Sequence, residues 1–335
     1  RTDNLMGDSN VDWEGDADEI AGDELALKKH TLETQGEWTH QEAEPDNSAF
    51  GGEGMWGSTR AEDFEIQWMG RPGPRFQTDR SGRKPSPLAV NGKMFVQGNE
   101  RVVAVDVYNG NIFWSKDFPG MKRMNIHMDC SNWAADENYI YIVIGANLVK
   151  VDQLTGAVAE VIPEPNGNQD WGFISLIDDK IIGSSIPKGS SFTDYYGGVG
   201  WYDAKNGPLA YKVVSQWLFA RDKKGDKIHW SYKPHGVIIN PTITIYNHQI
   251  TFVESANVRL SEEGRGGDDL FKNTSLVTLD ENTGKVLWRK RIKNVPGKTM
   301  YSMAAGTGKY VIVSSNDWRY EIYAYDASNG NLVWD

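Results

Sequence analysis

The chain has 335 residues, of which 39% are hydrophobic and 11% aromatic, which is enough for the packed core of one large domain or two average ones. The formal net charge of −11, from 46 acidic against 35 basic residues, argues against a nucleic acid as the main partner. The single cysteine, Cys130, excludes an intrachain disulfide and multi-cysteine metal or haem sites, and the absence of a run of about 18 apolar residues argues against a membrane-spanning helix.

The N-terminal part is predicted to lie outside the main fold. Much of the acidic excess is in residues 8–25, DSNVDWEGDADEIAGDEL, and residues 1–36 are interpreted as a solvated linker or tail, with a binding motif as the alternative. Residues 37–83 form a second segment. Within it, DFEIQWMG (63–70) has the alternation of a β-strand.

The next element, AVDVYNGNIFW, is a predicted hairpin in which Asp106 is followed eight residues later by Trp114. The same spacing recurs in Asp222/Trp230, Asp280/Trp288 and Asp326/Trp334, and Asp152/Glu160 is a copy without the ring. Four of the turns have glycine four residues after the Asp, which predicts a left-handed residue there, whereas Asp226 takes this place in the third copy. The Asp side chain is expected to cap the amides of its turn.

A second hairpin precedes each copy, as in PLAVNGKMFVQG and PTITIYNHQITFVES. Two hairpins per repeat predict a four-stranded antiparallel unit, whose strands we label A to D. The Asp positions advance by 46, 70, 58 and 46 residues, and a period of about 40–50 residues with four strands is typical of a β-propeller blade. The predicted fold is therefore all-β, with blades at about residues 84–118, 131–163, 171–233, 240–292 and 301–335. The recurrent Trp is expected to fill the gap to the next blade, which is a structural role.

The repeated pattern in AVDVYNGNIFW, TLDENTGKVLW and AYDASNGNLVW resembles the pyrroloquinoline quinone (PQQ) type repeat. This repeat occurs in quinoprotein alcohol dehydrogenases and in non-catalytic relatives such as the lipoprotein of the Bam outer-membrane assembly complex. The segments GEWTHQEAEPDNSAF and SPLAVNGKMFVQG are also similar to multidomain bacterial proteins that carry such propellers. The resemblance covers about residues 84–335.

Propellers of this family usually close with about seven or eight blades. Five blades therefore predict an incomplete ring, either a fragment of a larger propeller or a ring completed by another chain. The resemblance implies that an N-terminal strand joins the last blade, and residues 63–70 are the candidate for that closing strand.

Two insertions interrupt the repeat between strands B and C, at residues 186–216 and 255–275. In a propeller, these connections and the D-to-A connections lie on one face, and the Asp-Gly turns lie on the other. Because loops on a rigid scaffold often carry binding residues, partner contacts are predicted on the insertion face, with capping of the channel as the alternative. The aromatic and basic side chains expected there are Tyr195, Tyr196, Trp201, Trp217, Arg259 and Arg265.

Polar and aromatic residues at the starts of A strands, with one carboxylate at the end of a B strand, are predicted to converge on the channel at the same face. They are Asp129, Ser131, Asn132, Trp171, Asn240, Glu254 and Tyr301. Carboxylate and amide oxygens of this kind could hold Ca²⁺ and, by the resemblance, the quinone cofactor PQQ. The alternative is that each residue only satisfies hydrogen bonds at a strand end.

The resemblance leaves two functions open. The adjacent cysteine pair that is common in the quinoprotein dehydrogenases is missing. The spacing of the residues does not determine which Trp would lie beneath the cofactor or which Asp would act as the base, although Trp171 and Asp129 are candidates. The six histidines have no metal-ligand spacing. We therefore expect a non-catalytic interaction or scaffold module, whose partner is a protein or the remaining blades, in the periplasm, at the outer membrane or outside the cell. The alternative is a PQQ- and Ca²⁺-dependent alcohol or sugar oxidoreductase.

Overall fold

We describe a computed structural model. It covers residues 36–54, 60, 68–69, 86–98, 100–121, 132–188, 214–256, 273–292, 299–316 and 319–335, with the backbone alone at 299–302, 315–316 and 319. Within these residues the chain forms antiparallel sheets arranged as five blades, as the sequence predicts. In this part of the chain, no helix is long and apolar enough to cross a membrane.

The first three blades are four-stranded sheets whose strands pair with their neighbours in the order A, B, C, D. Blade 1 comprises β1 (Leu88–Val90), β2 (Lys93–Gln97), β3 (Arg101–Asp106) and β4 (Ile112–Asp117). Blade 2 comprises β5 (Trp133–Ala135), β6 (Tyr139–Ile144), β7 (Asn147–Asp152) and β8 (Val158–Pro163). Blade 3 comprises β9 (Gln169–Ile177), β10 (Lys180–Pro187), β12 (Trp217–Asp222) and β13 (Ile228–Tyr232).

Blade 4 is irregular in two ways. Its A strand is divided by a 3₁₀ turn at Asn240–Thr242, and an additional short strand at Val214–Ser215 pairs with the first half of that A strand. Its strands are β11 (Val214–Ser215), β14 (Val237–Ile239), β15 (Thr244–Tyr246), β16 (Gln249–Ser255), β17 (Thr274–Asp280) and β18 (Val286–Arg291). Blade 5 is regular and comprises β19 (Thr299–Gly306), β20 (Lys309–Asn316), β21 (Arg319–Asp326) and β22 (Leu332–Trp334).

The core lies between the blades. An inner strand that lies between two other blades is buried on both faces, as in β7, whose Val149 and Val151 belong to the apolar cluster with blade 1 and whose Leu148 belongs to the cluster with blade 3. Four clusters of buried apolar residues correspond to the four contacts between consecutive blades. Among the described residues no such cluster joins blade 5 to blade 1, so the ring is open, as predicted. Residues 63–67 and 70 of the predicted closing strand lie outside the described part of the chain.

The repeated turns have the expected geometry. Gly110, Gly156, Gly284 and Gly330 all have φ between 66° and 73°, in the left-handed region. The Asp carboxylate accepts the expected amide hydrogen bonds; the Oδ1 atom of Asp280, for example, accepts from the Thr283 N–H at 2.8 Å. In the third copy, Oδ1 of Asp222 instead makes a hydrogen bond with Nε2 of His229.

Candidate functional site

The repeat Trp residues of blades 1 and 3 hold these blades to the blades that follow them. The indole Nε1 of Trp114 donates to the carbonyl of Gln153 at 2.8 Å, and that of Trp230 donates to the carbonyl of Glu281 at 2.7 Å. Both acceptors directly follow the turn Asp of the next blade. The ring covers the turn glycine: a Cβ on Gly156 would lie 2.7 Å from Cδ2 of Trp114. These rings therefore stabilise the scaffold, as predicted.

Between blades 2 and 3, both residues of the Trp–Gly contact are replaced by other residue types. Glu160 occupies the Trp position of blade 2, and Asp226 occupies the glycine position in the turn of blade 3, which is the blade that follows. In this turn the left-handed residue is Gly225, with φ of +90°, so the backbone does not require glycine at position 226. Polar groups occupy this region instead, including a Lys223–Asp136 ion pair of 3.5 Å and a hydrogen bond of 3.0 Å from Tyr141 to Asp136.

The N-terminal segment enters the centre of the propeller, which sequence reasoning did not anticipate. Backbone groups in all five blades bond to it, at the ends of the A strands next to the A–B turns. The donors are the backbone N–H groups of Ala89 to Trp38 O, Ala135 to Thr39 O, Leu176 to His40 Nε2, Ile245 to Pro45 O and Ala305 to Asp46 O, at 2.8–3.0 Å. We call residues 38–47 the axial segment.

Two side chains fix the axial segment in place. The Asn47 Nδ2 donates to the Ile243 carbonyl at 2.9 Å and to the Met303 carbonyl at 3.1 Å, in blades 4 and 5. The buried His40 accepts from the Leu176 N–H through Nε2, so its proton is on Nδ1, which contacts Thr39 Oγ1 at 2.7 Å. Burial, helped by Lys223, lowers the pKa of His40 to about 3.

The axial segment lies on the face of the Asp-Gly turns. In each blade, the residue after the turn Asp donates its N–H to the A–B turn of the same blade, for example Val107 to the Gly92 carbonyl at 3.1 Å. The A–B and C–D turns therefore lie together, and the axial segment beside the A–B turns shares their face. The insertions between strands B and C leave from the opposite ends of the strands.

Acidic side chains accumulate at this end of the axis. Burial, together with Asp46 and Glu37, raises the pKa of Glu44 to about 7, and burial alone raises the pKa of Glu42. No described group of His, Cys, Asp and Glu has the geometry of a metal site. The sequence carries no distinctive signal for this segment, because Trp and His also occur earlier in the N-terminal region, as Trp13 and His30.

Glu254, the predicted carboxylate ligand, is tied to neighbouring strands. Its side chain is 1% exposed and accepts from Arg289 Nη1 at 2.5 Å through Oε1 and from Tyr232 Oη at 2.5 Å through Oε2. His235 Nδ1 lies 3.6 Å from Oε1. Burial, followed by the hydrogen bond to Glu254, raises the pKa of Tyr232 above its usual range. Because Tyr232 belongs to blade 3 and the two charged residues to blade 4, this cluster joins two blades.

Asn240 is held in a different hydrogen-bond network. Its Oδ1 accepts from Ser215 Oγ at 2.6 Å, and Ser215 Oγ lies 2.7 Å from Ser184 Oγ. Ser184 in turn accepts from the Phe173 N–H at 2.8 Å. This chain of hydroxyl groups connects the divided A strand of blade 4 to blade 3, so the amide oxygen of Asn240 already has a partner.

The other predicted site residues have different positions. Trp171 is fully buried in the core between blades 2 and 3, with its ring 5.2 Å from that of Phe219, and its Nε1 has no hydrogen-bond partner among the described residues. Asn132 is buried beside the start of β5, and within the described part of the chain its Oδ1 has no partner either. Asp129, Ser131 and the side chain of Tyr301 lie outside what the structure describes.

The described side chains do not fit a Ca²⁺ and quinone site. A cation at Glu254 would displace the guanidinium of Arg289 or lie beside its positive charge. Trp171 is 0% exposed within the core, beside Phe219, so neither face of its ring is open to a cofactor. The alternative reading of these residues, hydrogen bonding and packing at strand ends, agrees with each observed contact.

Only part of the insertion face is described. Of the six aromatic and basic residues predicted there, Trp217 is described, as the first residue of β12, with Lys233 Nζ 5.1 Å from its ring centroid. The other five, Tyr195, Tyr196, Trp201, Arg259 and Arg265, lie outside the described residues.

Comparison with known proteins identifies the class. Residues 272–335 match a PQQ-type family model described as "Outer membrane protein assembly factor BamB". The quinohemoprotein alcohol dehydrogenase of Comamonas testosteroni superposes with a TM-score of 0.55 at 15% identity, over 90% of this chain and 49% of that chain. The protein is therefore a β-propeller, with a PQQ-type repeat matched at residues 272–335, and it spans about half the length of that dehydrogenase.

Weaker likenesses are found to other propellers. BamB of Moraxella catarrhalis superposes with a TM-score of 0.41 at 12% identity, over 72% of this chain and 69% of that chain. The Pan2 WD40 domain of Neurospora crassa gives a TM-score of 0.45 at 12% identity, over 74% and 63%. No curated protein sequence matches the chain. The class thus includes an enzyme and an assembly factor, and the likeness establishes the fold alone.

Proposed function

We propose that this protein is a non-catalytic propeller that binds a protein partner through its insertion face, as a scaffold within a larger protein or assembly. The observation that carries the proposal is the use of Glu254 as a link between blades. Both of its oxygens accept hydrogen bonds, from Arg289 and Tyr232, so the best candidate for a cation ligand at the predicted cofactor site is already occupied.

The two faces of the propeller also differ in a way that supports this proposal. The turn face carries the axial segment, which bonds to all five blades at the axis, and short turns whose side chains cap their own amides. The insertion face receives two long loops that contain aromatic and arginine residues, the types enriched at binding hot spots. A partner that binds through loops would therefore use the insertion face.

The net charge of −11 favours a protein partner with a neutral or basic surface over a nucleic acid. We further propose that the protein acts in the bacterial cell envelope or outside the cell. The support for this location is the matching family model, whose description names an assembly factor for outer-membrane proteins.

Site-specific photocrosslinking tests which face binds. A photoreactive residue replaces Tyr195 in the first insertion, and a matched probe replaces Leu154, which is 70% exposed in the turn of blade 2. The expected result is one discrete crosslinked partner from position 195 and none from position 154. The proposal is wrong if the turn-face probe captures the partner and the insertion probe does not.

Reconstitution tests the competing function. The protein is incubated with PQQ and Ca²⁺, dialysed and examined for quinone absorbance and for dye-linked oxidation of alcohols and sugars. We expect no stoichiometric quinone and no oxidation, because both carboxylate oxygens of Glu254 already accept hydrogen bonds. One bound quinone per chain with substrate oxidation would contradict the proposal.

A further inference from the structure

Blades 4 and 5 face each other through two pairs of polar residues near their insertion-face ends. In blade 4, Ser255 of β16 lies opposite Thr274 of β17, and in blade 5, Ser314 of β20 lies opposite Glu321 of β21. Each polar pair is two residues beyond an apolar pair of the core between these blades; these apolar residues are Val253, Leu276, Ile312 and Tyr323. Because side chains alternate along a strand, both polar pairs face the contact between the two blades. We call these four polar residues the polar rung.

Three hydroxyl groups of the polar rung are buried without a hydrogen bond. Ser255 and Thr274 are 0% exposed and Ser314 is 1% exposed, and none of the three side-chain oxygens has a hydrogen-bond partner among the described residues. A buried hydroxyl group without a partner destabilises a fold, so such groups are rare and are seldom found together. Three of them at one contact between blades therefore indicate a place that can hold a polar or charged ligand.

A second hydroxyl pair on the same two strands behaves differently. Thr251 of β16 and Thr278 of β17 are also directly opposite and face the same side of the sheet, and their Oγ1 atoms are joined by a hydrogen bond of 2.7 Å. Ser255 and Thr274 have the same relation in the strand register, yet within the described part of the chain their hydroxyl groups bond neither to each other nor to another group. The pairing of the strands therefore does not account for their unpaired state, and both oxygens are available to a ligand between the blades.

Glu321 determines the charge of that ligand. Its Oε2 accepts from Tyr323 Oη at 2.5 Å, whereas its Oε1 has neither a hydrogen bond nor an ion pair with a described residue. The carboxylate would repel an anion, and a water molecule would leave its negative charge without a counter-charge. Lys290 of β18 does not supply that charge, because its stem lies against the turn of blade 5, where its Cγ would be 2.8 Å from a Cβ on Gly330. The polar rung therefore favours a cation.

The preceding contact between blades shows how a carboxylate in this position is balanced. Glu254 is next to Ser255 on β16 but faces blade 3, and its Oε1 accepts from Arg289 Nη1 at 2.5 Å. Between blades 4 and 5, no described guanidinium or ammonium group forms an ion pair with Glu321. The two contacts thus have a carboxylate near the same end of the blades, and only the first has a positive charge from the chain itself.

From these observations we infer that the polar rung binds one monovalent cation, Na⁺ or K⁺, between blades 4 and 5. Its ligands are all oxygens, which suits a hard cation. One carboxylate and three neutral hydroxyl groups carry a single negative charge, which a monovalent ion balances, whereas Ca²⁺ usually takes about 6–8 oxygen ligands, including carboxylates. The B and C strands that carry the polar rung lie away from the axis, so the site is separate from the predicted quinone site. The inference also does not depend on partner binding at the insertion face.

Thermal unfolding in different salts tests for the cation. The protein is dialysed into choline chloride and then compared in NaCl, KCl, CaCl₂ and choline chloride at equal ionic strength. We expect Na⁺ or K⁺ to raise the melting temperature by about 2–4 °C over choline at a concentration about five times the dissociation constant, because the ion binds the folded chain. Equilibrium dialysis with radioactive Na⁺, and with Rb⁺ in place of K⁺, should show one bound ion per chain. A rise with Ca²⁺ and none with Na⁺ or K⁺ would contradict the inference.

Two matched variants of β17 separate cation binding from stability. Thr274→Val and Thr278→Val each keep the shape of the side chain and remove one hydroxyl group. In choline chloride, Thr274→Val should melt at the same temperature as the unchanged protein or higher, because it removes an unpaired hydroxyl group, and it should lose the rise with Na⁺ or K⁺. Thr278→Val should melt at a lower temperature in every salt, because Thr251 loses its partner, and it should keep the full rise.

Glu321→Gln tests the charge of the site. This variant keeps the size of the side chain and removes the negative charge, so we expect it to bind neither Na⁺ nor Rb⁺ in equilibrium dialysis and to melt at the same temperature in all four salts. Three results would overturn the inference: no rise with Na⁺ or K⁺ in the unchanged protein, a rise that persists in both Glu321→Gln and Thr274→Val, or a rise that Thr278→Val abolishes as completely as Thr274→Val does.

Discussion

Trp114 of blade 1 and Gln153 of blade 2 are joined by a hydrogen bond of 2.8 Å from the indole Nε1 to the main-chain carbonyl. The contact requires no particular side chain at residue 153, but it requires the turn of blade 2 to approach the ring closely. Gly156 permits this approach, and the same arrangement recurs between blades 3 and 4.

Removing this ring should weaken the protein far more than removing the equivalent ring of blade 5. We expect Trp114→Ala to lower the free energy of unfolding by about 3–5 kcal/mol, because it leaves a cavity and an unpaired carbonyl. Trp334→Ala, at a position 47% exposed, should cost about 1 kcal/mol or less. Urea unfolding followed by circular dichroism measures both, and equal losses would contradict the role assigned to Trp114.

The turn glycines should differ according to whether a ring covers them. Gly284→Ala is expected to cost about 1–2 kcal/mol for the left-handed backbone and a further ~1–3 kcal/mol for the clash, since the Cβ would lie 2.6 Å from Cδ2 of Trp230. Gly167→Ala is the control, because its φ is +70° and a Cβ there would meet nothing within 4 Å. Thermal unfolding of both variants should show the larger loss for Gly284→Ala; the same loss in both would exclude the ring contact as its cause.

Glu254→Ala should show that this carboxylate holds blades together. We expect a loss of about 3–5 kcal/mol in the free energy of unfolding, because Arg289 and Tyr232 lose a buried partner. Asp117→Ala removes an exposed ion pair with Arg101 and should leave the free energy of unfolding nearly unchanged. Ca²⁺ should not raise the melting temperature of the unchanged protein, and a clear rise that Glu254→Ala abolishes would instead indicate a cation site.

His40 should make stability depend on pH below neutrality. Its pKa is lowered from 6.5 to about 3 in the folded state, so the folded protein binds fewer protons than the unfolded chain between these values. Its contribution is fully present above pH 6.5 and is lost as the pH falls towards 3, by at most about 1.4 kcal/mol per pH unit.

The measurement for His40 is the difference between His40→Gln and the unchanged protein across this range, because Glu44 acts in the opposite direction. The pKa of Glu44 is raised from 4.5 to about 7, so its contribution is present below pH 4.5 and is lost as the pH rises to 7. We expect the acid-dependent loss to be smaller in His40→Gln. An unchanged pH profile in this variant would show that His40 is not the responsible group.

The sequence by itself determined the blades, their turns and the open ring. Hairpin turns and strand alternation are local patterns, and the five copies reinforce one another, so the left-handed glycines and the capping Asp residues follow from a few neighbouring positions. The face on which the insertions lie also follows, because it depends only on strand order within a blade.

Only the tertiary structure decided the use of the polar residues and the path of the N-terminal segment. Glu254 and Asn240 lie at the predicted strand positions, yet their partners Arg289, Tyr232 and Ser215 are brought to them by packing between strands and blades. Glu160 and Asp226 belong to one contact only when blade 2 faces blade 3. The axial segment contacts five blades that are distant in the sequence, so no local pattern encodes its position, and the complementary hydrogen-bonding groups exist only once the five A strands surround one axis.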